Sequence, residues 1–579
     1  MLKKNLDVLK KSFDKQNVCE DCRKPGIGKT LLKYSLPLVI FLLAMPYVFA
    51  YFGDNINVIS GLAVIPIILA GGIFFLWIFK RKMFPIISNN LKAEWIYNDI
   101  KLAGINPFPL VVIILLLISM VPPMLYTAGF PMPSLTKMMP SFLKDFLQKI
   151  YLFNDNDVFM FMTWIVWWPI FLVTILIFRR IWCGGFCPFG LTTDFGNWIG
   201  KKLRLNNTAK PISATKWVFM GFITFATIGY LHDALNITNS LIMSVEFLMF
   251  FFLFAFVVGV VLPRRSFCRL FCFLGTLPHL FGRLAFLGLK TEKDKCVKCE
   301  GKWCIAGHNA QPKDRYDELL PKKRTGLLNV SGCPMYINVP NLGHDESNRH
   351  CILCGNCIKL CPYDAIHYQY LTPGYELLKG IDLNFQEIFF MFGILGILAM
   401  FVAFEGGFLT QFANTFGMIQ HWMITGSFAL ISIAALVVAF GLASYISHKI
   451  TGASYRETIK TAGYMFLPFT YMAFLRDVII TYAINGSFIK LVIPQLAKEL
   501  LDISMVMIGL LWSLYMAYKM MPLVTQKNKF YGALPFMIMM VGIGIFWFWM
   551  LFGIYHGFVL SFLISLISII GVIAVWLLL

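Results

Sequence analysis

The fourteen cysteines of this 579-residue chain fall into groups with the spacing of ligands. The densest run, HCILCGNCIKLCPYDAI, places Cys351, Cys354, Cys357 and Cys361 at C-x2-C-x2-C-x3-C, with Pro362 next. In a bacterial ferredoxin run the first three thiolates hold one cubane and the fourth ligates its neighbour. Zinc sites use paired CxxC motifs rather than a triplet, so iron–sulfur electron chemistry is expected here. Cys361 then needs a second cluster to ligate, and an altered second run is present. Cys296, Cys299 and Cys304 read C-x2-C-x4-C, and Cys333 follows after a loop of 28 residues, with Pro334 repeating the Cys-Pro step. Ferredoxin logic assigns Cys296, Cys299, Cys304 and Cys361 to one [4Fe–4S] cluster and Cys351, Cys354, Cys357 and Cys333 to the other. For the stretched run, a three-iron cluster or a structural zinc using His308 is the alternative. Two adjacent cubanes would make this segment a wire rather than a catalyst.

A second cysteine pattern occurs twice. RRIWCGGFCPFG (179–190) and RRSFCRLFCFLG (264–275) share the double Arg, an aromatic before the first Cys, a Phe before the second and a Gly three residues after it, at an offset of 85. This is an internal duplication. A spacing of four on a helical turn puts both sulfurs on one face, so Cys183, Cys187, Cys268 and Cys272 can meet. Four thiolates suit a further iron–sulfur cluster, another soft metal or paired dithiols. The alternative is that they pack helix ends as small apolar residues. Arg179, Arg180, Arg264 and Arg265 are expected to serve topology first and to lower thiol pKa values second.

These motifs must be carried by membrane helices. A chain that is 58% hydrophobic, 16% aromatic and 14% charged is not a soluble globule. Apolar runs long enough to cross about 30 Å of hydrocarbon lie near 34–52, 57–79, 107–126, 158–178, 215–232 and 240–262, then near 384–404, 423–446, 462–484, 502–519, 533–554 and 557–578. The segment 486–501, with Lys490, Lys498 and Glu499, reads as an interfacial helix. The expected fold is an all-α integral membrane protein of about twelve transmembrane helices in two sets of six, with an inserted cytoplasmic α+β two-cluster ferredoxin-like domain. Its divisions are a tail (1–33), a six-helix domain with the two Cys-x3-Cys repeats (34–289), the ferredoxin-like insert (290–380) and a C-terminal six-helix domain (381–579).

The formal charge of +20 is distributed so that its Lys and Arg clusters fall on one side of the alternating topology. That is the positive-inside pattern, and it points to membrane lipid rather than nucleic acid as the partner. It places the N-terminus, the insert and all fourteen cysteines on the inner face, where thiols stay reduced.

Weaker features remain. Cys19 and Cys22 form a lone CxxC, and the GIGKT after it lacks the first Gly of a phosphate loop. Of the few ionisable residues in the C-terminal set, His421 and His556 fall at outer helix ends, where a quinone or haem site is conceivable beside the simpler role of interfacial anchor. Arg476 beside Asp477 suggests an internal ion pair.

Membrane helices bearing two Cys-x3-Cys motifs, the first written Cys183 to Pro188, followed by the eight ferredoxin-type cysteines, resemble the polyferredoxin-like membrane proteins that include NapH, NosR and CcoG. The resemblance covers roughly residues 100–375. It implies electron transfer at the bacterial inner membrane, with the quinone pool or a membrane redox partner on one side and a respiratory acceptor protein on the other. It also admits a copper- or iron-reducing assembly factor or a redox-driven transporter. Phe273 replaces the second motif's Pro, the first ferredoxin run is interrupted, no flavin-binding domain precedes the spans, and about 200 residues of further membrane helix follow. No acid, base or nucleophile marks a substrate pocket, so a carrier is expected rather than a complete enzyme.

Overall fold

The computed structural model describes residues 167–205, 218–234, 241–299, 302–309, 329–405, 409, 421–480 and 495–556, apart from 186, 362, 526 and 527. All of these except 495–498 belong to one compact unit. The expected spans 34–52, 57–79, 107–126 and 557–578, together with Cys19 and Cys22, lie outside the described residues.

The duplication is visible in the backbone. Helix α1 (Trp168–Phe178) stops at Arg179, whose φ of 59° is left-handed. A short α2 (Ile181–Gly185) follows, then α3 (Pro188–Lys202), with Cys187 as its N-cap and Pro in its first turn. Proline is suited there because its missing N–H would be unpaired anyway. After α4 (Val218–Ala234) the pattern repeats: α5 (Leu241–Val261), Arg264 at φ 56°, α6 (Ser266–Leu270), and α7 (Phe273–Phe281) N-capped by Cys272. Glycines let α3 and α5 cross closely. A Cβ on Gly196 would lie 2.4 Å from the Phe256 carbonyl, and one on Gly259 would lie 2.5 Å from that of Thr193. The opposite face of α3 exposes Phe195 and Trp198, with Lys202 Nζ 3.9 Å over the Trp198 ring, the character of a helix lying in an interface.

The insert is framed by β1 (Leu287–Thr291), antiparallel to the later β4 (Ile366–Tyr370), in a register from Leu287 opposite Tyr370 to Thr291 opposite Ile366. Between them come α8 (Lys293–Val297), α9 (Trp303–Ala306), β2 (Gly307–Asn309) paired with β3 (Asn329–Ser331), and α10 (Asn356–Lys359). After β4 comes α11 (Tyr375–Leu378). The frame thus begins a few residues before 290. Nor does the insert stand apart from the repeats: Arg179 Nη1 pairs with Glu376 at 3.0 Å, its Nε donates to the Leu287 carbonyl at 2.9 Å, and Phe178 and Ile181 pack on the insert's apolar core.

The C-terminal set comprises α12 (Phe385–Glu405), α13 (His421–Thr451), α14 (Tyr455–Gly463), a 3-10 turn, α15 (Leu467–Asp477), α16 (Gln495–Met520) and α17 (Lys529–His556). Five helices among the described residues are long and apolar enough to span a bilayer: Met243–Val261, Phe385–Glu405, Ile424–Thr451, Leu501–Leu523 and Lys529–Leu551.

Two expectations are revised here. Described to residue 480, the run expected as one span over 462–484 is divided by the 3-10 turn Tyr464–Phe466, and from Tyr464 to Leu475 it is buried in protein. Gln495–Leu501 is no separate interfacial helix; it continues without a breaker into α16. The side chains of His421 and His556 lie outside the described residues.

Buried charge ties the parts together. Arg476 does form an internal ion pair, but with Glu405 of α12 (2.7 Å) and Asp502 of α16 (Nη2 to Oδ2, 3.1 Å). At the other end of α12, Glu387 is fully buried. His279 Nε2 and Arg349 Nη1 lie 2.8 and 2.7 Å from its Oε1, Arg283 Nε lies 2.8 Å from its Oε2, and the Tyr464 hydroxyl donates to Oε2. One carboxylate therefore joins the second repeat, the insert and the C-terminal set.

Candidate functional site: three groups of four cysteines

Two cavities inside the insert are walled by cysteine. The first is lined by Cys296 on α8, Cys299, Cys304 on α9 and Cys361, together with Trp303, Tyr363 and Ile366. The second is lined by Cys333, Cys351, Cys354 and Cys357, together with Met335, Ile337 and Ile352. Each combines cysteines from both runs, the last cysteine of either run lining the opposite cavity. The His308 side chain lies outside the described residues.

Burial raises the thiols of Cys296, Cys304, Cys333, Cys351, Cys357 and Cys361, and repulsion from neighbouring thiolates raises most of these six further. Cys296 is pushed up to about 11 and Cys304 to about 12, and Cys351 and Cys357 also rise. Four thiols in an apolar wall stay protonated unless a cationic group takes their charge, so loading releases protons. Among the described residues no three or more His, Cys, Asp or Glu side chains converge as ligands of a single ion. Four thiols around one cavity are the ligand number of a [4Fe–4S] cluster.

The structure also brings the four Cys-x3-Cys thiols into one neighbourhood. Cys183 sits on α2, Cys268 on α6, and Cys187 and Cys272 cap α3 and α7 with nearly identical backbone (φ/ψ −73/120° and −73/108°). Cys272 Sγ accepts from the Gly275 N–H at 3.3 Å, and Cys187 has the N–H groups of Phe189 and Gly190. A helix N-terminus favours the thiolate. Burial still dominates, and the four sulfurs also repel one another: Cys187 is pushed up to about 12, Cys268 to about 11 and Cys272 upward as well.

The three groups are contiguous. The Cys333 N–H donates to the Cys304 carbonyl at 2.9 Å, joining the walls of the two cavities. Arg264 donates to the carbonyls of Ile305 (2.9 Å) and Cys333 (2.6 Å) while its guanidinium lies 3.9 Å over the Tyr336 ring. Gly184, inside the first Cys-x3-Cys motif, packs on the second run: a Cβ there would fall 2.1 Å from the Ile352 carbonyl. Gly184→Ala should therefore separate the insert from the repeat. The expected result is faster limited proteolysis at 290–380; an unchanged cleavage rate would count against this contact as the seam between insert and repeat.

The double arginines are bonded within the protein. Arg179 and Arg180 are 1% and 2% exposed. Arg180 Nη2 donates to the Cys268 carbonyl at 3.4 Å, and Arg265 Nη1 to that of Cys183 at 2.6 Å, so each repeat reaches across to the first cysteine of the other. Sequence reasoning missed Asp194, which holds Arg265 (Nη2 to Oδ2, 2.6 Å), and also His279, Glu376 and Glu387. The offset of 85 pairs Asp194 with His279, the one available signal.

A family model described as a 4Fe-4S binding domain matches twice, at residues 160–206 and 245–292, once around each Cys-x3-Cys motif. A second model of the same description matches residues 348–367. An uncharacterised protein of Methanocaldococcus jannaschii is 23% identical over 222 residues, 35% of this chain and 76% of that protein. The methylamine utilization ferredoxin-type protein MauN of Paracoccus denitrificans is 24% identical over 22% of this chain and 48% of its own length. The ferredoxin-type protein NapH of Escherichia coli is 19% identical over 32% of this chain and 61% of its own length. No solved structure matches the chain. Carrying matches to 4Fe-4S binding domains on and beside apolar helices, the chain is similar to the ferredoxin-type proteins NapH and MauN, its distant relatives.

Proposed function

We propose that this protein carries electrons along the inner face of the cytoplasmic membrane, between the quinone pool or a membrane partner and a respiratory acceptor. Two [4Fe–4S] clusters, one in each insert cavity, and a third centre at Cys183, Cys187, Cys268 and Cys272 would form the path. The observation that carries the reading is the contiguity of three groups of four thiols, running from the insert to the membrane repeats. Iron–sulfur groups supply reversible uptake of single electrons. The chain's part is to hold thiolates in apolar walls, to seat Cys187 and Cys272 on helix N-termini, and to exclude water through side chains such as Ile337, Ile352 and Ile366.

The test is anaerobic purification with iron, sulfide and copper counts, followed by low-temperature EPR. About twelve iron atoms per chain are expected, four for each group; about eight would limit the path to the insert. Reduction of the centres by a quinol analogue is expected, and its absence would remove the quinone-linked version. A second reading, copper or iron reduction for delivery to a terminal reductase, draws on the partial exposure of Cys183 and Cys187 beside the buried Cys268 and Cys272. Bound copper without the extra iron would support it.

A further inference from the structure

The two Cys-x3-Cys repeats are alike in backbone but not in charge. In the first direction, Arg265 bonds the Cys183 carbonyl and is neutralised by Asp194, a 43%-exposed carboxylate whose two oxygens accept from its Nε and Nη2. In the reverse direction, Arg180 bonds the Cys268 carbonyl, and the duplicated position of Asp194 is occupied by His279. That histidine is engaged by Glu387, which is itself held by Arg283 and Arg349. Among the described residues no carboxylate pairs with Arg180. Its remaining bond goes from Nη1 to the Arg349 carbonyl at 3.3 Å, two residues before Cys351. The guanidinium thus stands, 2% exposed, between the four-thiol site and the second insert cavity.

Both arginines are close-fitted. A Cβ on Gly190 would lie 3.3 Å from Arg265 Nη1, and one on Gly275 would lie 3.2 Å from Arg180 Nη2. These are the paired glycines three residues after the second cysteine of each motif, and a side chain at either would press on the crossing arginine. The crossed bonds therefore align the two motifs, while the charge of only one of them is cancelled. An interior charge acts more strongly than the same charge at a surface because the medium around it screens less.

On the reading that the four thiols hold a redox centre, we infer that Arg180 is the fixed charge that sets this centre's reduction potential, and that Arg265, neutralised by Asp194, is a positioning residue. An electron arriving on the centre adds one negative charge and breaks no bond; Arg180 stabilises that reduced state without giving up a proton.

The experiment is an EPR-monitored redox titration of the full-length protein in detergent, with iron and sulfide counted for each variant. Arg180→Gln should lower the midpoint of the four-thiol centre by at least a tenfold change in the reduction equilibrium, about 59 mV for a one-electron couple. Arg180→Lys, which keeps the charge, should recover most of that shift. Asp194→Asn, which uncovers the charge of Arg265 at an exposed position, should move the midpoint the other way. If Arg180→Gln fails to load its centres, the Asp194→Asn shift decides. A loaded centre whose midpoint Arg180→Gln leaves in place, or an unmoved midpoint in Asp194→Asn where the first variant fails, overturns the assignment alone. Wild-type protein with iron for the insert only overturns the four-thiol reading and this assignment with it.

Discussion

Cys361→Ala should cost the protein about four iron atoms per chain, and the centre lost should be the one associated with the other cysteine run. Cys361 follows Cys357 by four residues, yet it lines the cavity of Cys296, Cys299 and Cys304, while Cys333 lines that of Cys351, Cys354 and Cys357. The EPR spectrum of Cys361→Ala should therefore coincide with that of Cys299→Ala and differ from that of Cys354→Ala. Cys333→Ala should give the mirror result. A Cys361→Ala spectrum that matches Cys354→Ala would overturn the crossed arrangement. Alanine rather than serine is the informative replacement, because a hydroxyl can substitute weakly as a ligand.

Glu387→Gln should be the most destabilising single change among the charged residues, by roughly 3–5 kcal/mol, the cost of leaving buried partners uncompensated. The amide keeps the shape of the side chain but leaves Arg283 without its carboxylate and Arg349 with Asp382 alone, at 3.0 Å. Thermal unfolding in detergent should show a clearly lowered midpoint. Glu405→Gln is the comparison: Arg476 keeps Asp502, so the loss should be much smaller. Equal midpoints for the two variants would count against Glu387 as the junction.

The cysteine groups could be read from the chain because ligand spacing is a local code. Cys351 to Cys361 carry their chemistry within eleven residues, and the duplicated RR…C-x3-C stretches reveal themselves by self-similarity. The side chains that align those groups carry no such code. Arg179 meets Glu376 across 197 residues and His279 meets Glu387 across 108, and such pairings are set by how elements cross rather than by their neighbours in sequence. Length and apolarity located α5, α12, α13, α16 and α17. They did not reveal the break at Tyr464–Phe466, where the run stays apolar throughout and Pro468 sits acceptably in the first turn of α15. Arg476 was recognisable as an internal charge, but adjacency suggested Asp477, whereas successive residues on a helix point about 100° apart and its partners lie on other helices.

The carboxylate of Glu387 has a further consequence for biogenesis. The ribosome delivers His279, Arg283 and Arg349 before it delivers Glu387, and Tyr464 only after it. While the nascent chain lacks α12, the insert has all eight of its cysteines and its bonds to the repeats through Arg179 and Arg264, but not the carboxylate that joins both to the C-terminal set. Synthesis order thus completes the residues of the cysteine-lined cavities before α12 supplies the carboxylate that closes the junction.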